Sequence, residues 1–255
     1  MARIMTRLAL CSVLSAAAVV GICGCGEDRP AAPAAAPATT QTAPAAPASQ
    51  PAASAGIEKM TPLKLDLPRP MFIGTPKNLR SGNMPPKDAP KDDPIRIPAG
   101  VANVARDKDV TAGTDEIIIG ELEYVTDGDK EAGDGQFVEL APGTQWVQID
   151  LGAAHDVFAI AIWHDHSSAR VYRDVVVQLS SDAYFIDKTT VFNNDHDNSS
   201  NLGRGKDYEY VETNQGRAIG VAGVKARYVR IYSNGSTAGG ENAYTEVEVF
   251  ARPVK

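Results

Sequence analysis

Alternating apolar and polar positions in the second half of the chain predict β-strands. In the stretch WVQIDLG (146–152), Val147, Ile149 and Leu151 alternate with polar or amphipathic neighbours, and a period of two is the pattern of a half-buried strand. The stretch VFAIAIW (157–163) is apolar throughout, which predicts a strand covered on both faces. Three further stretches show the period of two, at 173–182, 226–232 and 245–250.

The elements predicted in this way are many short strands, without a convincing amphipathic helix. Gly, Asn, Asp and Ser interrupt the apolar runs at short intervals, as turns between strands do. Strands of this kind bury their apolar faces by packing two antiparallel sheets against each other. We therefore predict an all-β fold, a jelly-roll β-sandwich, over residues 99–255.

Composition confines this fold to the C-terminal part of the chain. Most of residues 26–56 are Ala, Pro, Thr, Gln or Ser, which bury too little apolar surface to offset the entropy of ordering, so we predict a disordered tether. Residues 57–98 are an extended lead-in. Its alternating leucines at 63–74 predict an edge strand or a segment that wraps the domain, and its prolines at 84–98 predict an extended loop.

The first 25 residues have the layout of a secretory signal. Arg3 and Arg7 precede an apolar run at 8–22, which is too short for a comfortable transmembrane helix. The run ends in Ile-Cys-Gly-Cys at 22–25, which resembles a bacterial lipobox and implies lipidation of Cys25. An ordinary signal peptide with incidental cysteines is the alternative.

Lipidation would anchor the mature chain in the bacterial cell envelope. A terminus that carries several acyl chains holds a protein stably on a membrane, where one chain alone does not. Gly26 follows the cysteine and does not resemble the Asp that retains some lipoproteins at the inner membrane. We therefore expect an outer-membrane location, with the domain facing the periplasm or the cell surface.

Charge and cysteine content exclude several classes of function. The net charge of −7 gives no electrostatic reason to expect nucleic acid or an anionic membrane surface as a partner. All three cysteines lie at or before position 25, so the mature domain has neither a disulfide framework nor a cysteine zinc site. Since no catalytic or phosphate-binding motif is present either, we predict a protein that is not an enzyme.

Four sequence motifs occur in an order that resembles the discoidin family, also called factor V/VIII C-type or galactose-binding-like domains. They are VTDGD (125–129), WVQIDLG (146–152), ARYVRIY (226–232) and TEVEVF (245–250). The opening NVARDKDVTAG (103–113) is similar to the first strand and turn of such domains, with Arg106 and Asp107 in place of small residues. The resemblance implies the jelly-roll sandwich and leaves the ligand open.

The same resemblance implies a structural Ca²⁺ site. Matching the family motif to this chain gives side-chain ligands at Asp127 and Glu246, and backbone ligands at Tyr124, Asp129 and Thr245. Carbonyls with two carboxylates suit Ca²⁺, which binds about six to eight hard oxygens. The ion would connect the first loop to the last strand. Alternatively, the two aspartates cap a turn beside a glycine.

A second group of residues has the types that sugar sites use. Hydroxyl-rich ligands need bidentate polar groups, and the apolar face of a sugar ring stacks on an aromatic ring. The residues of suitable type are Trp163, His164, His166, Arg170, Tyr172 and Asn234. We predict a glycan site on loops at one end of the sandwich.

Two metal interpretations compete with this prediction. His164 and His166 point to the same side of an extended strand, where they could bind a transition metal with a third ligand from 195–197. Exposed histidines at a strand end are the plainer interpretation. The segment 193–199 is rich in Asn, Asp and Ser; it lacks the EF-hand pattern, and we expect these side chains to bond their own backbone.

Our hypothesis from the sequence is a lipid-anchored extracytoplasmic module that binds carbohydrate through the loops of a Ca²⁺-braced sandwich. Its partner is a glycan or a surface protein, its contact with the membrane is the N-terminal lipid anchor alone, and the domain is monomeric. The first alternative is a scaffold lipoprotein that binds a protein and no sugar. A distant alternative is a metal-dependent hydrolase that uses the two histidines.

Overall fold

The computed structural model describes residues 58–74, 79, 81–90, 92–133 and 135–254. These residues belong to one compact unit, Ser54–Lys255. The predicted signal peptide, the lipidation site Cys25 and the tether lie outside the described residues. None of the described helices is long and apolar enough to cross a membrane.

Strands make up the regular structure of the described chain, together with one short 3₁₀ helix at Leu122–Val125. In chain order they are β1 (Met60–Pro62), β2 (Arg96–Pro98), β3 (Ala102–Asn103), β4 (Val110–Ala112), β5 (Ile117–Ile119), β6 (Val138–Leu140), β7 (Gln145–His164), β8 (Val176–Ser180), β9 (Lys188–Asn193), β10 (Arg217–Ser233) and β11 (Asn242–Pro253). The predicted all-β class is confirmed.

Two long strands, β7 and β10, connect the two layers of the sandwich. The strand order is β5-β6-β11-β7-β10-β8-β9, with β3 beside β11 and β4 beside β7. The first half of β7 pairs with β4 and with the second half of β10, which also pairs with β8. The second half of β7 pairs with β11 and with the first half of β10. These antiparallel pairings are those of a jelly-roll sandwich.

The apolar residues of the predicted alternating pattern form the core of the sandwich. Val147, Ile149 and Leu151 are buried on β7, and they pack in one cluster with inward residues of β8, β10 and β11. The apolar stretch at the end of β7 is covered on both faces, since every residue of 160–163 is buried. Each such aliphatic side chain contributes about 1.5–3 kcal/mol on burial, so β7 is the main support of the fold.

The lead-in packs on the sandwich. Strands β1 and β2 pair with each other, and the amide of Leu63 donates to the carbonyl of Ile95 (2.8 Å). Farther along, the carbonyl of Pro68 accepts a hydrogen bond from Asn214 Nδ2 (2.8 Å). The segment 63–74 therefore wraps the domain, one of the two predicted outcomes. The prediction of loop through residue 98 was wrong at its end, because β2 pairs there, with Pro98 at the strand terminus where proline is tolerated.

Candidate functional site

The loop after the 3₁₀ helix is joined to the last strand by Glu246. The amide of Gly128 donates to Glu246 Oε2 (2.9 Å), and Gly128 has a positive φ of 80° that favours glycine. The amide of Asp129 donates to Asp127 Oδ1 (2.7 Å), an Asx turn of the kind expected beside a glycine. The structure thus brings the predicted Asp127 loop and Glu246 together.

The chemistry of this loop suits a divalent cation. Glu246 is fully buried, and its Oε1 has no hydrogen-bond partner among the described residues. Burial raises the pKa of Glu246 to about 8 and also raises the pKa of Asp127. Thr245 has no partner in β7, where the register shifts. Carboxylates are ligands that Ca²⁺ prefers, and the five predicted ligands, Tyr124, Asp127, Asp129, Thr245 and Glu246, stay a prediction.

Most of the predicted sugar-binding residues are buried, which corrects that prediction. Trp163 is fully buried; its Nε1 donates to the carbonyl of Asn214 (3.0 Å), and the Lys130 ammonium lies 5.1 Å from its ring centroid. His164, His166 and Tyr172 are also buried. These rings are therefore not exposed for a ligand to stack on.

Each of the two histidines has one hydrogen-bond partner in the protein, while His164 Nε2 and His166 Nδ1 have none among the described residues. The His164 ring stacks on Tyr172 at 4.2 Å between centroids, and its Nδ1 lies 3.0 Å from Glu212 Oε2. Burial raises the pKa of Glu212. His166 Nε2 lies 2.9 Å from the carbonyl of Lys130. No group of three metal-ligating side chains among the described residues includes these histidines, so the metal pair stays a prediction, and Glu212 is a partner that the sequence did not reveal.

Arg170 and Asn234 have different surroundings. Arg170 forms an ion pair with Asp165 (2.9 Å), and its Nη2 donates to Ser168 Oγ (2.8 Å). Its side chain is only 17% exposed, so little of the guanidinium is left for a ligand. Asn234 is the one residue of the predicted group that lines a cavity described at the loop end of the sandwich.

This loop-end cavity has a volume of about 570 Å³ and a polar lining. Its charged and amide side chains come from four segments: Arg173 and Asp174 before β8, His196 and Asp197 after β9, Glu209 before β10, and Asn234 after it, with Ser81 to Asn83 of the lead-in beside them. The sequence indicated the polar segment 193–199 and Asn234, but it did not indicate Arg173, Asp174 and Glu209 as lining residues.

Hydrogen bonds hold the cavity wall in place. Asp174 Oδ2 accepts from Asn234 Nδ2 (2.8 Å) and from Ser199 Oγ (2.6 Å). The buried Asp195 carboxylate accepts from the amides of Ser199 (3.1 Å) and Ser200 (3.0 Å). The prediction that this loop bonds its own backbone is confirmed. The carboxylates of Asp174, Asp195 and Asp197 lie within 4.8 Å of one another, without a histidine among them.

A protein-family model matches the central part of the sandwich domain. Residues 124–231 match the model described as F5_F8_type_C_2: NedA-like, galactose-binding domain. The match spans the first loop, most of β10 and all but one of the side chains from the sandwich that line the loop-end cavity. The resemblance to discoidin domains is thereby confirmed over residues 124–231.

Solved structures with low identity are similar to this chain. One is a family 89 glycoside hydrolase from Clostridium perfringens in complex with 2-acetamido-1,2-dideoxynojirmycin, with 17% identity and a TM-score of 0.45, over 60% of this chain and 15% of that one. A second is the CBM32 of AlyQ in complex with 4,5-unsaturated mannuronic acid, with 24% identity and a TM-score of 0.41, over 57% of this chain and 96% of that one. A third is the lectin domain of lectinolysin complexed with Lewis B antigen, with 18% identity and a TM-score of 0.43, over 60% of this chain and 98% of that one. A comparison with curated proteins found no match.

Proposed function

We propose that this chain is a lipid-anchored, extracytoplasmic glycan-binding module whose ligand occupies the loop-end cavity. The observation that carries the proposal is a polar cavity of about 570 Å³ whose lining comes mainly from a domain matched by a galactose-binding model. Sugar ligands need convergent donors and acceptors in a concave site. The cavity lies at one end of the sandwich, where the sequence predicted a glycan site, although other residues line it.

The lining residues supply both kinds of hydrogen-bonding group. Arg173 is exposed and offers a planar fork of donors, while Asp197 is an exposed acceptor. Asn234 is held by Asp174, which fixes its orientation. No tryptophan, tyrosine or phenylalanine is among the described lining residues. Polar contacts therefore dominate the recognition that we propose, and ring stacking contributes little.

A bound Ca²⁺ is the second part of the proposal. Asp127 and Glu246 would hold the ion by side chain, with Tyr124, Asp129 and Thr245 as backbone ligands. The ion would supply positive charge beside the buried Glu246 carboxylate, whose Oε1 lacks a hydrogen-bond partner among the described residues. This chain's own contribution is to hold the first loop against β11 through the Gly128 amide.

The anchor completes the proposal. Cys25 would carry the lipid, and the Ala/Pro-rich residues 26–56 would hold the module away from the membrane as an extended tether. With this anchor, the module would bind glycan in the cell envelope, at the outer membrane.

The cavity is tested by glycan-array binding of residues 54–255 and of single variants. Arg173→Ala and Asn234→Ala should each lower affinity about tenfold, since each removes a hydrogen bond to the ligand worth about 1.5 kcal/mol. The exposed Arg204→Ala is the matched control and should bind as the wild type does. A wild type that binds no glycan, or variants with unchanged affinity, would contradict the proposal. If the chain binds no glycan but captures one surface protein, the result would favour the scaffold alternative.

Metal removal tests the Ca²⁺ site. The melting temperature of residues 54–255 should rise by about 5–10 °C when Ca²⁺ replaces EDTA, because an ion that binds only the native state stabilises it by mass action. Asp127→Asn combined with Glu246→Gln should abolish the rise. Equal melting temperatures with and without Ca²⁺ would show that Asp127 is only a turn residue.

A further inference from the structure

The guanidinium of Arg106 lies against the loop that carries the proposed Ca²⁺ ligands. A Cβ added to Gly128 would lie 1.5 Å from Arg106 Nη1 and 2.2 Å from its Cζ. Only a residue without a side chain leaves room for this contact, and the positive φ of Gly128 sets the same requirement. The contact is therefore built into both segments, although they are far apart in the sequence.

Backbone contacts fix the turn from which Arg106 extends. The amide of Asp107 donates to the carbonyl of Thr126 (2.8 Å), and Thr126 Oγ1 donates to the carbonyl of Lys108 (2.9 Å). Asp107 adopts a left-handed φ of 56°, which is uncommon for a residue other than glycine. The turn between β3 and β4 is thus docked on the loop, and Arg106 starts from a fixed position.

The charges around this loop are mostly negative. The Gly128 amide, next to Asp127, donates to Glu246, and Asp129 and Asp107 add to the negative field at Asp127. Lys130 supplies positive charge near Glu246. Arg106 is the positive group that acts on Asp127. Its side chain is 57% exposed and lies 3.6 Å from Asp107, so solvent screens its charge and its influence is moderate.

We propose that Arg106 is a tethered cation that holds the Asp127–Gly128 loop against Glu246 when Ca²⁺ is absent and lowers the affinity of the loop for Ca²⁺. This inference rests on the proposed Ca²⁺ site. A positive charge near Asp127 stabilises this carboxylate without metal, and it repels an incoming divalent cation. With Arg106 present, the module folds without Ca²⁺, and bound Ca²⁺ only increases its stability.

Calorimetric titration with Ca²⁺ and thermal unfolding in EDTA test the proposal on residues 54–255. Arg106→Ala should fold, since the side chain is largely exposed. It should bind Ca²⁺ about threefold to tenfold more tightly than the wild type and melt about 1–3 °C lower in EDTA. Arg106→Lys keeps the charge and should stay near the wild type. Arg204→Ala is the control for loss of an exposed arginine and should change neither quantity.

The outcomes separate this inference from the Ca²⁺ proposal. Equal Ca²⁺ affinity of the wild type and Arg106→Ala would overturn the role of Arg106 and leave the site intact. An absence of Ca²⁺ binding in both proteins would overturn the site and the inference together. Higher ionic strength should narrow the difference between the two proteins, because screening weakens the charge. A difference that is independent of salt would show that Arg106 acts by packing, against the proposal.

Discussion

Asp150 and Arg227 form a bidentate ion pair between the two long strands. Arg227 Nε and Nη2 lie 2.7 and 2.8 Å from the two carboxylate oxygens, and the amide of Gly152 adds a third hydrogen bond (2.8 Å). The pair joins β7 to β10 near the point where both strands pass from one layer to the other. Both side chains are partly exposed, at 29% and 42%, so solvent limits the strength of the pair.

The Arg227 hydrogen bonds hold the pKa of Asp150 below its usual value of 3.8. A group whose folded pKa is lowered contributes stability that is present above the unfolded pKa and is lost as pH falls through the folded pKa. Asp150→Asn should therefore lower the free energy of unfolding by up to about 1 kcal/mol at neutral pH. Below the folded pKa the difference should vanish.

Urea unfolding of both proteins at a series of pH values measures this effect. The wild type should lose the extra stability in acid, while Asp150→Asn should show a flatter profile there. Asp88→Asn, at an exposed position of the lead-in, is the control and should follow the wild type. Profiles that run parallel down to the most acidic point would contradict the role of the ion pair.

At the scale of elements, the loop between β9 and β10 depends on Asp195. This carboxylate is fully buried and accepts bonds from two amides and from the Ser200 hydroxyl. Asp195→Ala would leave these donors unsatisfied, which costs about 1–3 kcal/mol. Because His196 and Asp197 line the loop-end cavity, the variant should also bind glycan more weakly.

Hydrogen exchange of the amides at 193–207 measures the loop directly. Asp195→Ala should speed exchange there and leave β7 and β10 unchanged, since their pairing does not involve the loop. Arg204→Ala removes an exposed side chain of the same loop and should leave exchange as it is. Unchanged protection in Asp195→Ala would show that other bonds hold the loop.

The strands were predictable because alternation is a local signal. The burial of Val147, Ile149 and Leu151 follows from their alternation with polar neighbours, so no other part of the chain is needed to predict it. The family motifs also placed Asp127 and Glu246, which lie 119 positions apart, at one loop. The alternation is complete within a few residues, whereas the pairing of Asp127 with Glu246 followed from the family resemblance.

The loop-end cavity was not predictable in the same way. His164 is buried, with its Nδ1 beside Glu212, 48 residues away, and with the rings of Tyr172 and Tyr244 packed against its own. Residue type alone does not tell such a histidine from an exposed one. Arg173 belongs to a sequence that was interpreted as strand, and only the fold brings it beside Asn234.

At the scale of the whole molecule, the lead-in forms part of the cavity. The Ser81 hydroxyl and the Asn83 amide both donate to Glu209 Oε2, and the Glu209 amide donates to the carbonyl of Asn83 (3.0 Å). Ser81, Gly82 and Asn83 line the cavity opposite the loop that carries His196. An ion pair between Asp92 and Arg217 (3.1 Å) attaches the lead-in to the first residue of β10.

Removal of the lead-in should therefore weaken both stability and ligand binding. Residues 99–255 should melt below residues 54–255, because the apolar faces of Leu63 and Leu65 and the bonds to Glu209 are lost, and glycan affinity should fall with the missing wall. Ser81→Ala separates the two effects: it removes one bond at the cavity, so it should lower affinity with a change in melting temperature of about 2 °C or less. Thr61→Ala, on exposed β1, is the control. If residues 99–255 bind glycan as tightly as residues 54–255, the lead-in stabilises the sandwich without forming the site.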